Sequence, residues 1–125
     1  MRKPGRILLL LAACAAGPAC AQSSTPAPAA REIEALIAAL GRSNCEFQRN
    51  GRWHGAAEAQ AHLRRKYEWL RRRDLAGSAE QFIERAGSRS STTGQPYRVR
   101  CPGQPETGSA QWLRARLAES RHPAR

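Results

Sequence analysis

Lysine is nearly absent from this chain. Beyond residue 21, Lys66 is the only lysine among 18 basic residues, the rest being arginine. Acidic residues are outnumbered 10 to 21 over the whole sequence, and aromatic residues make up 6%. The scattered arginines, with few aromatic rings between them for bases to stack on, argue against a nucleic-acid-binding protein despite the charge. Past residue 16 no stretch is apolar enough to span a bilayer, so no transmembrane segment is expected after it. No Gly-x-Ser-x-Gly context surrounds any serine, and no standard zinc-ligand spacing occurs. Neither a catalytic residue, a cofactor nor a metal can be assigned from a motif.

What is present begins with an export signal. Arg2, Lys3 and Arg6 precede an apolar run from Ile7 to Ala16, which is too short for a membrane span. Gly17-Pro18 breaks the run, and Ala19-Cys20-Ala21 satisfies the small-x-small rule for cleavage before Gln22. Residues 1–21 therefore read as a signal peptide and the protein as periplasmic. The alternative is a lipoprotein anchored through Cys14, since Leu11-Ala12-Ala13-Cys14 resembles a lipoprotein box. Cleavage leaves residues 22–125, with a net charge of +8 and two cysteines, Cys45 and Cys101. In an oxidising compartment these two are expected to pair as a disulfide.

Residues 22–30, rich in Ser, Thr, Pro and Ala, read as a flexible lead-in to one domain over 31–122. Ile33, Leu36, Ile37 and Leu40 recur with helical spacing, and Gly41 is placed to cap that helix. Cys45 to Arg49 alternates apolar and polar residues as a half-buried strand does. Asn50-Gly51 suits a type I′ hairpin turn, and Arg52-Trp53-His54 is expected to return beside it, with Phe47 and Trp53 sharing a surface. Gly55 can cap a second helix whose apolar face is Ala56, Ala59, Leu63, Tyr67 and Leu70. Ser78-Ala79-Glu80-Gln81 is a capping box opening a short helix that buries Phe82, Ile83 and Ala86. A polar loop over 87–96, a strand over 97–101, a loop over 102–108 and a helix capped by Ser109 and ended by His122-Pro123 complete the chain. The expected fold is α+β: a small antiparallel sheet, hairpin plus one further strand, packed with three to four helices. Antiparallel pairing of 45–49 with 97–101 puts Cys45 opposite Cys101 and Arg49 near Tyr97.

Several blocks carry a resemblance. Arg49-Asn50-Gly51, Glu58-Ala59, His62-Leu63-Arg64, Lys66, Ala79-Glu80-Gln81-Phe82-Ile83 and Ser90-Ser91-Thr92-Thr93-Gly94 with Pro96-Tyr97 resemble the YfeK-like family of small exported proteobacterial proteins. The likeness covers about residues 32–121. It implies a domain of unknown function and no catalytic or ligand residues.

Three polar blocks have no evident core role: Arg49-Asn50, the His62/Lys66 face of the second helix, and the Ser90–Gly94 loop leading to Tyr97. Arg and Lys supply fixed charge, and loop hydroxyls and N–H groups supply donors, which together make an anion site. The candidate ligand-binding set is Arg49, His62, Lys66, Ser91 and Tyr97; the competing reading is that these residues brace the fold. A zinc site from Cys45, His54, His62 and Cys101 is the rival use of the cysteines. The function expected is a non-enzymatic binding or accessory module for an anionic envelope component or a partner protein. Alternatives are a small hydrolase-like enzyme using His62, oriented by Glu58, with a loop hydroxyl, and a purely structural envelope protein.

Overall fold

The computed structural model describes residues 25–123 and the isolated positions 5, 12, 13 and 17. The cleavage site at Ala19-Cys20-Ala21 and Cys14, with most of the expected leader, lie outside the described residues. The order of elements is α1 (Ala27–Gly41), β1 (Glu46–Arg49), β2 (Arg52–His54), α2 (Ala56–Arg72), α3 (Ala79–Ala86), β3 (Arg98–Arg100), β4 (Thr107–Gly108) and α4 (Ser109–Arg121). The expected α+β class is the one observed, with one strand more than the sequence showed.

The helix α1 starts four residues before Arg31, inside the expected lead-in. Pro26 is its N-cap and Pro28 lies in its first turn, where a missing N–H costs nothing. Ala29 is buried, so this first turn packs on the core. Gly41 is not the cap: Arg42 is, with φ −95°. Gly41 instead makes room for Gln60, which reaches across from α2 to donate to the Ile37 carbonyl at 3.1 Å. A Cβ at position 41 would come within 2.4 Å of that side chain.

Asn50 and Gly51 both take positive φ, 50° and 80°, as a type I′ turn requires. The turn pairs Arg49 with Arg52, Gln48 with Trp53 and Phe47 with His54. Phe47 and Trp53 therefore point to opposite faces of the sheet, which corrects the expectation that they share one. The reason is parity: with period-two side chains, residues share a face only when directly paired or offset by an even number. Phe47 is buried with Val99 and meets Trp112 edge-on at 5.6 Å. Trp53 lies on the outer face under the guanidinium of Arg100, 4.0 Å from its ring centre.

The sheet order is β2-β1-β3-β4, antiparallel throughout, so β1 is internal. Glu46 pairs with Arg100, Phe47 with Val99 and Gln48 with Arg98. One step beyond, Cys45 and Cys101 form a disulfide with Cα atoms 4.3 Å apart. The expected register and the expected pairing are both present. The fourth strand, Thr107–Gly108, lies in the segment read as a loop. Two residues, one of them a glycine, are too short a run to carry a periodic signal, and only pairing with the neighbouring strand marks them as extended.

The helices bury their apolar faces on the inner side of the sheet. Leu63, Tyr67 and Leu70 of α2 join Ile33, Leu36, Ile37 and Leu40 of α1, and Phe82 and Ile83 of α3. Tyr67 meets Phe82 edge-on at 5.4 Å. The capping box of α3 is complete: the Ser78 hydroxyl accepts from Gln81 N, and Gln81 Oε1 from Ser78 N. Gly108, not Ser109, is the N-cap of α4, and Ser109 is buried as its first residue.

Candidate functional site

Continuing the β1–β3 register past Gln48 and Arg98 sets Arg49 beside Tyr97 at one end of the sheet. The chain leaves β2 at His54 and enters α2 directly after Gly55. His62 and Lys66, one turn apart, consequently lean over the same sheet end. The Tyr97 hydroxyl accepts a hydrogen bond from Lys66 Nζ at 3.2 Å and lies 3.4 Å from His62 Nε2. Lys66 Nζ also donates to the Arg89 carbonyl at 3.3 Å and stands 5.1 Å from the Tyr97 ring centre. His62 meets the same ring edge-on at 6.0 Å.

Electrostatics at this corner are one-sided. Burial first, then the charges of Arg49, Lys66 and Arg65, push the His62 imidazole down to about 4, so it is neutral at pH 7. Burial, with Arg49 adding to it, also lowers the Lys66 ammonium. Burial raises the Tyr97 phenol, and Arg49 partly offsets the rise. No carboxylate lies within ion-pair distance of Arg49, Arg65 or Lys66 among the described residues.

The Ser/Thr loop closes one side. The buried Ser90 hydroxyl accepts from Thr92 N and Thr93 N, each at 3.3 Å, and bonds Thr92 Oγ1 at 2.9 Å. Thr93 Oγ1 donates to Asn50 Oδ1 at 2.6 Å, tying the loop to the hairpin turn. These hydroxyls brace the loop, as side chains of this type do in turns. Ser91 differs: it is exposed and lines an open groove.

Two concavities meet at His62. A recess of about 40 Å³ is lined by Arg49, His54, His62, Tyr97 and Ser109 over an apolar floor that includes Phe47. A groove of about 440 Å³ runs from His62 along Lys66, Arg65, Trp69, Arg85 and Ser91. The structure thus brings His62, Lys66 and Tyr97 into direct contact, with Arg49 on the recess and Ser91 on the groove. Arg85, Trp69 and Ser109 were not among the expected residues. Trp69 was findable, because it falls outside the apolar face formed by Leu63, Tyr67 and Leu70.

Two readings from the sequence need correction. Glu58 Oε2 pairs with His54 Nδ1 at 3.0 Å and so does not orient His62. Residue 54, on the strand's inner face, reaches the first turn of α2 from below, a proximity that helical spacing does not show. The zinc set from Cys45, His54, His62 and Cys101 loses both thiolates to the disulfide. No helix among the described residues is long and apolar enough to cross a membrane.

Comparison with known proteins gives a family and a partial relative. A family described as "Family of unknown function (DUF5329)" matches residues 27–121. "Uncharacterized protein YfeK" of Salmonella typhimurium is 44% identical over 66 residues, 52% of this chain and 53% of that protein. The match thus spans about half the length of that curated relative. No solved structure matches. With the family match running from the first turn of α1 to the last residue of α4, the chain belongs to the DUF5329 family, a YfeK-like family of unknown function.

Proposed function

We propose that this protein is a non-enzymatic, exported binding module whose ligand carries a carboxylate or phosphate, held at the corner formed by Arg49, His62, Lys66, Ser91 and Tyr97. The observation that carries this reading is the charge imbalance there. Arg49 and Lys66 are half-buried and, with Arg65, have no acidic partner among the described residues. Elsewhere Arg64 is taken by Glu34, Arg98 by Glu106 and Arg100 by Glu46. Removing unpaired cations from water is unfavourable, and an anion entering among them would offset that cost. Two of the three Lys66 donors are used by Tyr97 and Arg89, which leaves one for a ligand.

Catalysis is less well supported. A histidine pushed down to about 4 is a poor general base at neutral pH, and no carboxylate among the described residues pairs with His62 to orient it. The disulfide and the leader sequence together support export into an oxidising compartment, with the periplasm as the destination and a Cys14 lipid anchor as the alternative. Intact-mass measurement separates these: a chain starting at Gln22 supports the first, and a diacylglyceryl-modified Cys14 the second.

Thermal-shift titration with inorganic phosphate and with acetate tests the site. Wild type should be stabilised by at least one anion in a saturable way, and Arg49→Ala should keep its own melting temperature while losing that response. If no anion stabilises wild type and Arg49→Ala unfolds the protein, the five residues are a structural brace and the binding role is wrong.

A further inference from the structure

The two large apolar side chains left exposed among the described residues are Trp69, at 51%, and Leu75, at 42%. Trp69 lies in the last turns of α2 and Leu75 in the connector just beyond it, and Arg85 links them: it donates to the Leu75 carbonyl and lines the groove beside Trp69. Trp69 and Arg65 also line a second groove, with Arg64, Glu68 and Arg72. Arg73 lies over the Trp69 ring, 3.9 Å from its centre, and donates to the Trp69 carbonyl at 3.1 Å. Around Trp69 stand Arg65, Lys66, Arg73 and Arg85, none of them in an ion pair with a described carboxylate. The acidic side chains at this end are Glu68, which takes Arg72 at 3.6 Å, and Asp74.

We propose that this end of α2 is a docking face for an anionic lipid surface, with Trp69 and Leu75 entering the interface and Arg65, Arg73 and Arg85 meeting the headgroups. An exposed indole among cations, with an exposed leucine tied to the same cluster through Arg85, matches a surface that is negative at the headgroups and apolar just beneath. Trp is suited to that boundary because its ring is apolar and its N–H is polar. The stacked Arg73 lets a cation travel with the ring, since the indole face offsets part of its desolvation. A second copy of this chain is a poor occupant, because a symmetric contact would press one cationic face onto another. This surface goes beyond the Arg49 corner, with which it shares Arg65 and Lys66, and its Trp69, Leu75, Arg73 and Arg85 have no part in that corner.

Co-sedimentation of the purified chain with vesicles of phosphatidylglycerol and phosphatidylethanolamine, against vesicles of phosphatidylcholine alone, tests it. The chain should bind the anionic vesicles and not the neutral ones, with a blue shift of tryptophan emission. Trp69→Phe should abolish the shift, since Trp112 is buried and Trp53 lies on the sheet's outer face. Arg65→Ala with Arg73→Ala should weaken partition by about fivefold for each cation removed. Arg31→Ala with Arg42→Ala, exposed on α1 and at its C-cap and in no ion pair among the described residues, should leave binding unchanged. Equal weakening by the α1 pair would mean that net charge alone drives adsorption, and the docking face would be rejected. Failure to bind anionic vesicles, a shift that survives Trp69→Phe, or a shift produced by a soluble acidic polysaccharide but not by vesicles would also overturn it.

Discussion

Lys66 Nζ stands 3.2 Å from the Tyr97 hydroxyl and 3.3 Å from the Arg89 carbonyl, so one ammonium joins α2 to both ends of the Ser/Thr loop. This makes Lys66 a brace as well as a charge, and its two roles separate on substitution. Tyr97→Phe removes one acceptor and leaves the cation in place. Denaturant unfolding should show a loss of about 1 kcal/mol, the usual net worth of a hydrogen bond, with anion-induced stabilisation retained. Lys66→Met removes the donor of both hydrogen bonds, so it should cost more than Tyr97→Phe and also weaken the anion response.

The disulfide closes a long loop, with 56 residues of sequence separation between Cys45 and Cys101. In the chain-entropy description its removal costs about 4 kcal/mol, chiefly by freeing the unfolded chain. Cys45→Ser with Cys101→Ser should lower the denaturation midpoint accordingly. Reducing agent should do the same to wild type and leave the double variant unaffected. An unchanged wild-type midpoint on complete reduction would show that the sheet and its register hold without the bond.

His62 makes stability depend on pH with a definite sign. Its ordinary value is 6.5 and its folded value about 4, so between these the unfolded chain holds the extra proton. Stability should therefore be at its full value above about 6.5 and fall as pH drops towards 4. The ring is partly exposed, so solvent screening makes the loss smaller than the whole shift implies. Arg121 holds Glu32 and Glu80 below their ordinary 4.5, as Arg64 does Glu34, and their contribution is lost at more acid pH. A His62→Gln variant should consequently flatten the profile between about 6.5 and 4.5. A bound anion would offset the repulsion from Arg49 and Lys66, so phosphate should move the His62 NMR titration midpoint upward.

Ser78 tests the helix that closes the core. Its hydroxyl and the Gln81 side chain satisfy each other's backbone N–H groups at the start of α3. Ser78→Ala should cost about 1 kcal/mol in urea unfolding, whereas Ser78→Asp should be nearly neutral. A neutral Ser78→Ala would show that burial of Phe82 and Ile83 alone holds the helix.

Much of the architecture was legible because it depends on neighbours in sequence. Leu63, Tyr67 and Leu70 repeat at helical spacing, Ser78 and Gln81 are three apart, and Asn50-Gly51 is a two-residue turn whose register follows from its length. The cysteines at either end of alternating strands make the β1–β3 register readable from the sequence. Placing Arg49 beside Tyr97 needed that register and one further step, and His62 with Lys66 followed from the short Gly55 connection.

Other features depend on distances that no spacing encodes. Strand β4 exists because β3 offers it hydrogen-bonding partners, and α1 begins at Ala27 because Ala29 finds a place in the core. Glu58 chose His54 over His62 through the geometry of strand against helix. Which cations find a carboxylate is also a three-dimensional matter. Arg121 reaches Glu32 across 89 residues and Glu80 across 41, while Arg49, Arg65 and Lys66 reach none among the described residues. Charge composition told how much positive charge this chain carries. Packing decided where it stays uncompensated, because an ion pair requires contact within a few ångströms and only the folded chain sets those distances.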